Sequence, residues 1–426
     1  MGLRFYGRAN YIKMDSYDIA VIGAGAAGSM AAIRAGQSGK KVTLLERNEI
    51  LGRKILMTGR GRCNITNSGK LDTFIEKFGK RPGQFLRNAF YKFSNEDVMD
   101  FFRSKGLELK SERQGRVFPL SDNARSVTQV LEKCLEENKV DVRYKIRIRE
   151  IRKDGENFIL DTDGGPVTAK KIILATGGAS YKDTGSTGDG FQIAQALGHA
   201  ILPLKPGLVP LKTKETWVKE VQGLTLKNIR LIFVAGKKKI ISDVGELLFT
   251  HFGVSGPLVL DLSADIVRLL SEEGQMNLLI DLKPGIDKSE MDDKLLREIK
   301  EHGGREIKTM LAQALPLKLA PLILKLVEID LHKKVHQMNK DDRRKLAKIL
   351  KELPLTIAGS LPLEEAMVTC GGVAIKEIDP RTMESRVIPG LYFAGEVIEG
   401  GAPSGGYNLQ QAFSTGYLAG ESAANA

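Results

Sequence analysis

The sequence predicts an α/β protein whose principal domain is assembled from the two ends of the chain. Three observations carry this reading: a strand, glycine turn and helix over residues 17–37, a buried-type strand running into Thr176-Gly177-Gly178, and a late apolar strand ending in Gly395-Glu396. Between the second and third lies a long stretch of different texture, which reads as an insertion.

Size and composition set the frame. With 426 residues the chain exceeds one ordinary core, so two or three packed units are expected. Hydrophobic content of 42% and charged content of 27% describe a soluble globular chain. The apolar runs at 19–22, 172–175 and 319–326 are far shorter than the roughly 20 residues of a membrane span, so no membrane partner is expected. Residues 1–14 are basic without a continuous apolar segment or a small-residue cleavage site; they read as an N-terminal extension, with Met14 a candidate start. Cys63, Cys134 and Cys370 show no CxxC spacing and no paired histidine, which excludes a disulfide framework and a zinc site and fits a reducing cytoplasm. The formal charge of +12 suits polyanionic partners such as RNA, or equally a lysine-rich surface that keeps the protein soluble. Oligomeric state is not readable.

The elements follow in order. Residues 17–22 are apolar and lead through Gly23-Ala24-Gly25-Ala26-Ala27-Gly28 into a small-residue helix, and 41–45 form a second strand closed by Glu46. The glycine- and arginine-rich stretch 52–67 is a loop. Residues 95–105 and 122–138 are helical, 140–151 is β-like, and 158–161 with 167–169 form a hairpin around Asp163-Gly164-Gly165. From Pro203 the texture becomes short β runs, with 230–235 and 240–242 flanking a turn at 236–239; residues 287–352 then read as amphipathic helices. Strand signals return at 368–375 and 391–394, and a closing helix starts near Asn408.

The first motif is Gly23-x-Gly25-x-x-Gly28 between strand and helix. There the first glycine makes the turn, the second admits a pyrophosphate, and the third lets helix and strand approach. Glu46 is placed to accept ribose hydroxyls and disfavours a 2′-phosphate. These residues point to a dinucleotide and leave FAD and NAD open.

Residues 390–396, an apolar strand ending in Gly395-Glu396 followed by glycines at 400–406 and a helix, resemble the C-terminal FAD motif of two-dinucleotide flavoproteins. The resemblance implies that Glu396 holds the ribityl chain and that the next helix aims its N-terminus at the flavin, where it would stabilise developing negative charge. Ile172-Ile173-Leu174-Ala175-Thr176-Gly177-Gly178 resembles the strand-then-ATG element of the same proteins. A narrower resemblance rests on Gly52-Arg53-Lys54, residues 58–67, 185–190, 249–257 and 369–373, and Gly405-Gly406-Tyr407-Asn408-Leu409-Gln410. Together they are similar to a bacterial family of NAD(P)/FAD-dependent oxidoreductases, the aminoacetone oxidase-type or BaiN/RdsA-type flavoproteins, over nearly the whole chain after Tyr17.

That resemblance implies a Rossmann-like two-dinucleotide FAD-binding domain formed by residues 15–195 and 360–426. It also implies an inserted β-barrel-like plus helical domain, β-rich over 196–285 and helical over 286–359. It implies FAD as cofactor and hydride transfer through flavin N5. Its members are associated with reduction of steroid double bonds, reduction of a ribosomal RNA uridine to dihydrouridine, and oxidation of small amines, so a small molecule and rRNA both stand as substrates. Glu399-Gly400-Gly401-Ala402-Pro403-Ser404 and Lys182 depart from the family pattern in loops. No second GxGxxG lies on a strand-turn-helix unit, so NAD(P)H, as electron donor, is expected to bind only transiently. A non-catalytic flavin-binding module is the reading from another class.

The cofactor-contact candidates are Gly23, Gly25, Ala26, Ala27 and Gly28, then Glu46 and Arg47, then Arg53, Lys54, Thr58, Gly59, Cys63 and Asn64. Ile148, Ala175, Thr176 and Gly177 follow, and Gly395, Glu396, Gly405, Gly406, Tyr407, Asn408 and Leu409 close the set. Arg53, Lys54, Arg60 and Arg62 crowd one loop, which fits either a shared anion or a solvated charged turn. Arg60 and Arg62 are catalytic candidates for that reason. Cys63 reads as a structural cysteine or a redox thiol. His251, in a glycine-rich loop, is either the acid-base group or a loop-fixing residue. Tyr407 and Asn408 contact flavin or substrate, or cap the helix.

Overall fold

The computed structural model describes residues 15–426, and the expected N-terminal extension lies outside them. The chain divides into two compact units, one formed by the residues up to Leu204 together with Gly371–Ala426, the other by Lys205–Cys370. It leaves the first unit along the strand Ile201–Gly207 and returns along Val368–Val373, and these two strands pair.

In the first unit β1 (Asp15–Ile22), α1 (Ala26–Gly36) and β2 (Val42–Leu45) form the expected strand-helix-strand unit. Ile19, Ala20, Val21, Leu44 and Leu45 are buried, the uninterrupted apolar pattern of strands covered on both faces. β1 lies parallel to β2 and to Val167–Leu174, with Ile22 opposite both Leu45 and Leu174. The strand Val167–Leu174 is used twice. Its first half pairs antiparallel with Asn157–Thr162, which continues the hairpin to Ile148–Asp154, and its second half pairs parallel with Leu391–Phe393. Phe393, Leu174 and Ile22 therefore end side by side, and Gly23, Ala175 and Gly395 emerge at one edge of the sheet. Open α/β sheets form their ligand crevice at that carboxyl edge.

The final helix, Tyr407–Asn425, locks onto α1 through glycines. A Cβ on Gly416 would fall 2.2 Å from the Ala27 carbonyl oxygen, and one on Gly420 2.3 Å from that of Ala31. Only side-chain-free positions allow helices this close. A small three-stranded sheet, Leu109–Ser111, Arg116–Pro119 and Thr66–Asn67, was not foreseen.

The second unit contains a closed barrel whose strands run in the order Leu211–Thr213, Gly253–Ser255, Lys238–Phe249, Thr225–Ala235, Met276–Asp281 and Leu353–Ser360. Leu211, Leu231, Phe233, Phe249, Leu278, Leu355 and Ile357 belong to its buried core. Between the last two strands come the helices Lys288–His302, Ile307–Ala314, Leu319–Leu326 and Lys340–Lys351, the first opened by an Asp287/Glu290 capping box. Two differences from expectation stand out. Leu353–Ser360, assigned to the helical part, is a barrel strand, and the β-rich part holds a helix, Pro257–Glu273, with proline in its first turn. Among the described residues no helix is long and apolar enough to cross a membrane, and no group of three His, Cys, Asp or Glu is placed to hold a metal ion.

Candidate functional site

The glycine turn is shaped by sterics. Gly23 has φ +97° and a Cβ there would lie 2.6 Å from the Ala175 carbonyl oxygen; on Gly28 it would lie 1.8 Å from that of Gly23. At Gly25, the N-cap of α1, nothing lies within 4 Å. Two glycines thus pack turn against sheet, and the middle one opens onto free space. The first turn of α1, with Ala26 and Ala27, has no acidic residue and no side-chain cap, so its N–H groups face that space without a competing anion.

Glu46 is buried, and its carboxylate already has protein donors. The Ala24 N–H donates to Oε2 at 2.7 Å, and the Asn48 backbone and side-chain nitrogens donate to Oε1 at 2.8 Å. It thereby ties the glycine turn to the end of β2, keeping lone pairs for a ribose. Arg47 points elsewhere, donating to Thr187 at 2.6 Å and pairing with Asp189 at 3.2 Å, and so fixes the 185–190 loop. The two acceptors depress the demand on any further anion at Arg47. Ile148 is buried at the head of its strand, two residues beyond Ile146, whose N–H donates to the Glu46 carbonyl.

Among the described residues the loop cations have separate partners. Lys54, on the short helix Arg53–Met57, pairs with Glu396 at 2.7 Å and donates to Ser180 at 2.9 Å. Arg62 pairs with Glu112 at 2.9 Å and Asp122 at 3.4 Å and lies 4.1 Å above the Phe118 ring, an arrangement that holds its guanidinium above its ordinary pKa, chiefly through the Glu112 hydrogen bond. Arg53 and Arg60 are exposed, and Gly59 and Arg60 take left-handed conformations at the loop tip. Thr58 turns its hydroxyl to the Ile55 carbonyl. Cys63 is fully enclosed, and burial pushes its thiol up to about 12, which favours the structural reading of this cysteine.

The same loop meets the C-terminal glycines. Gly406, at φ +95°, has the Thr66 carbonyl oxygen 2.3 Å from where a Cβ would stand; Asn67 donates to the Gly405 carbonyl at 3.0 Å; and Thr66 donates to Gln410 at 2.6 Å. Gly406 is the N-cap of the final helix, which has neither a side-chain cap nor an acid in its first turn. Asn408 is no cap. Its amide clasps the backbone of Ala402 from both sides, accepting from N–H at 2.9 Å and donating to C=O at 2.8 Å, so it fixes the divergent loop. Tyr407 packs edge-on to Phe74.

These surroundings fit a dinucleotide-length cofactor. The uncapped start of α1 borders the carboxyl edge of the sheet, the uncapped start of the final helix lies against Thr66, and Gly177 (φ +75°) follows Thr176, whose buried hydroxyl oxygen has no protein partner. The buried Asn64 Oδ1 likewise has none, and such atoms are costly unless a ligand satisfies them. His251 belongs to the barrel unit, exposed on the turn after Phe249 with its ring edge-on to Phe252. Glu112 and Asp122, the partners of Arg62, were missed by sequence reasoning because they stand 50 and 60 residues away.

The model of the HI0933-like protein Rossmann domain matches residues 17–422. A 3-dehydro-bile acid delta(4,6)-reductase of Clostridium scindens is 35% identical over 408 residues, 95% of this chain and 98% of its own length. A ribosomal RNA dihydrouridine synthase of Escherichia coli is 32% identical over 406 residues, 95% of this chain and 97% of its own. Among solved structures, a 3-ketosteroid delta1-dehydrogenase from Sterolibacterium denitrificans shares the fold with a TM-score of 0.52 at 14% identity, over 97% of this chain and 100% of that one.

Proposed function

Because the chain belongs to the HI0933-like Rossmann family and is an FAD-dependent oxidoreductase, we propose that it reduces a carbon–carbon double bond conjugated to a carbonyl, drawing electrons from NAD(P)H. The observation that carries this is the meeting of three strand ends, Ile22, Leu174 and Phe393, which brings Gly23, before the uncapped start of α1, and Gly395-Glu396 to one sheet edge. The two relatives' names support the reaction class, since saturating a bile-acid Δ4,6 system and making dihydrouridine both add hydrogen across such a bond.

Bound here, FAD supplies a hydride carrier at N5. The first-turn amides of α1 bind its pyrophosphate, with Gly25 leaving room, and Glu46 accepts ribose hydroxyls. Glu396 accepts from the ribityl chain. The amide groups that open the final helix would stabilise negative charge on the bound cofactor. Arg60, exposed and without an acidic partner among the described residues, orients an anionic group of the substrate, whereas Arg62 is occupied by its own acids. His251, exposed on its turn in the barrel unit, is the proton-donor candidate.

A second reading is specific to the substrate. The net charge of +12 and the exposed Lys237, Lys238 and Lys239 turn favour a polyanion, hence rRNA. The test begins with anaerobic mixing of FAD-loaded protein with NADH or NADPH, followed by a conjugated 3-oxo steroid or by rRNA lacking dihydrouridine. Bleaching of the flavin by a nicotinamide and its recovery on adding either compound support the proposal. Recovery only with oxygen defeats it, and His251→Gln with unchanged turnover removes the proton-donor assignment.

A further inference from the structure

Lys54 and Glu396 stand 342 residues apart in sequence, yet their charged ends are 2.7 Å apart with side chains 24% and 23% exposed. Ser180 closes the triangle, accepting from Lys54 at 2.9 Å and donating to Glu396 at 3.2 Å. Ser180 is itself fully buried, so this contact is built into the unit rather than made between two solvated side chains. The three residues come from three separate segments: the short helix after β2, the loop after the ATG element, and the turn after the last strand.

The charges have a consequence for redox chemistry. A two-electron reduction that takes up fewer protons than electrons leaves added negative charge on the cofactor, and a lone carboxylate beside it opposes that change through a poorly screened medium. An ammonium ion held against the carboxylate cancels this opposition. We propose that Lys54 is a charge-compensating positioning residue: it holds Glu396 oriented for the cofactor's sugar-alcohol chain and raises the tendency of the bound FAD to be reduced. This rests on the reading above that Glu396 contacts that chain.

The experiment measures the flavin midpoint potential by dye equilibration and, in parallel, FAD affinity for the wild type, Lys54→Met, Glu396→Gln, the double variant and Lys54→Arg. Lys54→Met is expected to shift the equilibrium about tenfold towards oxidised flavin, about 30 mV for a two-electron couple. Glu396→Gln shifts it the opposite way and weakens FAD binding. The double variant returns towards the wild-type potential, and Lys54→Arg stays near it, because the cycle isolates the pairwise charge effect. If Lys54→Met does not fold, Lys54→Gln replaces it. A Lys54 that only braces the fold gives weaker FAD binding with no potential shift and no restoration in the double variant, which overturns the proposal. Undiminished FAD affinity in Glu396→Gln sinks instead the reading that Glu396 holds the sugar alcohol.

Discussion

The carbonyl oxygen of Thr66 lies 2.3 Å from where Gly406 would carry a Cβ, and through this contact the first loop of the domain and its last helix share one wall. Gly406→Ala adds both that clash and the cost of a side chain at φ +95°. A loss of about 1–3 kcal/mol is expected, with reduced FAD content. Denaturant unfolding and flavin absorbance per protein measure it; normal values in both would show that the wall yields.

Gly25 and Gly28 should respond differently. Gly25→Ala meets no protein atom within 4 Å, so the apoprotein should stay within about 1 kcal/mol of wild type while FAD binding falls at least about tenfold. Gly28→Ala drives a methyl against the Gly23 carbonyl and should destabilise the apoprotein by about 1–3 kcal/mol. Equal effects on stability would remove the distinction between a ligand-facing and a packing glycine. Calorimetry with and without FAD decides.

Cys63 makes a pH prediction. Its thiol ordinarily titrates near 9.0 and burial lifts it to about 12, so the folded state favours the protonated form. The stability this confers is whole below about 9 and is lost as pH rises towards about 12. Cys63→Ala should lack that alkaline component, and native Cys63 should resist alkylation at neutral pH. Rapid alkylation without unfolding would contradict the enclosed thiol.

The two neighbouring arginines separate function from support. Arg62→Ala breaks contacts to Glu112 and Asp122 and uncovers Phe118, and a loss of about 1 kcal/mol is expected. Arg60→Ala should leave unfolding unchanged and raise KM for an anionic substrate without altering flavin content. A stability loss at Arg60 would place it in the fold rather than at the substrate.

What was legible in the sequence was whatever obeys a local rule. The glycine spacing at 23–28 needs only a strand before it and a helix after it, and both are present. The hairpin turn at Gly236 was readable from its flanking β runs. The small sheet of Thr66–Asn67, Arg116–Pro119 and Leu109–Ser111 was not, because strands of two to four residues carry no periodicity. Leu353, Leu355 and Ile357 do alternate inward, a signal overlooked beside the helix that precedes them. Which cation meets which acid was beyond reach, since Lys54 with Glu396 and Arg62 with Glu112 are set by tertiary contact alone.

The glycine contacts of Gly416 and Gly420 with α1 also impose an order in time. Ribosomes add about 5–20 residues per second, so the surface of α1 waits on the order of tens of seconds for its covering helix. During that interval α1 lacks its covering helix, whereas the 205–370 unit draws every strand of its barrel from its own segment. Completion of the first unit thereby waits on the segment that carries Gly416 and Gly420.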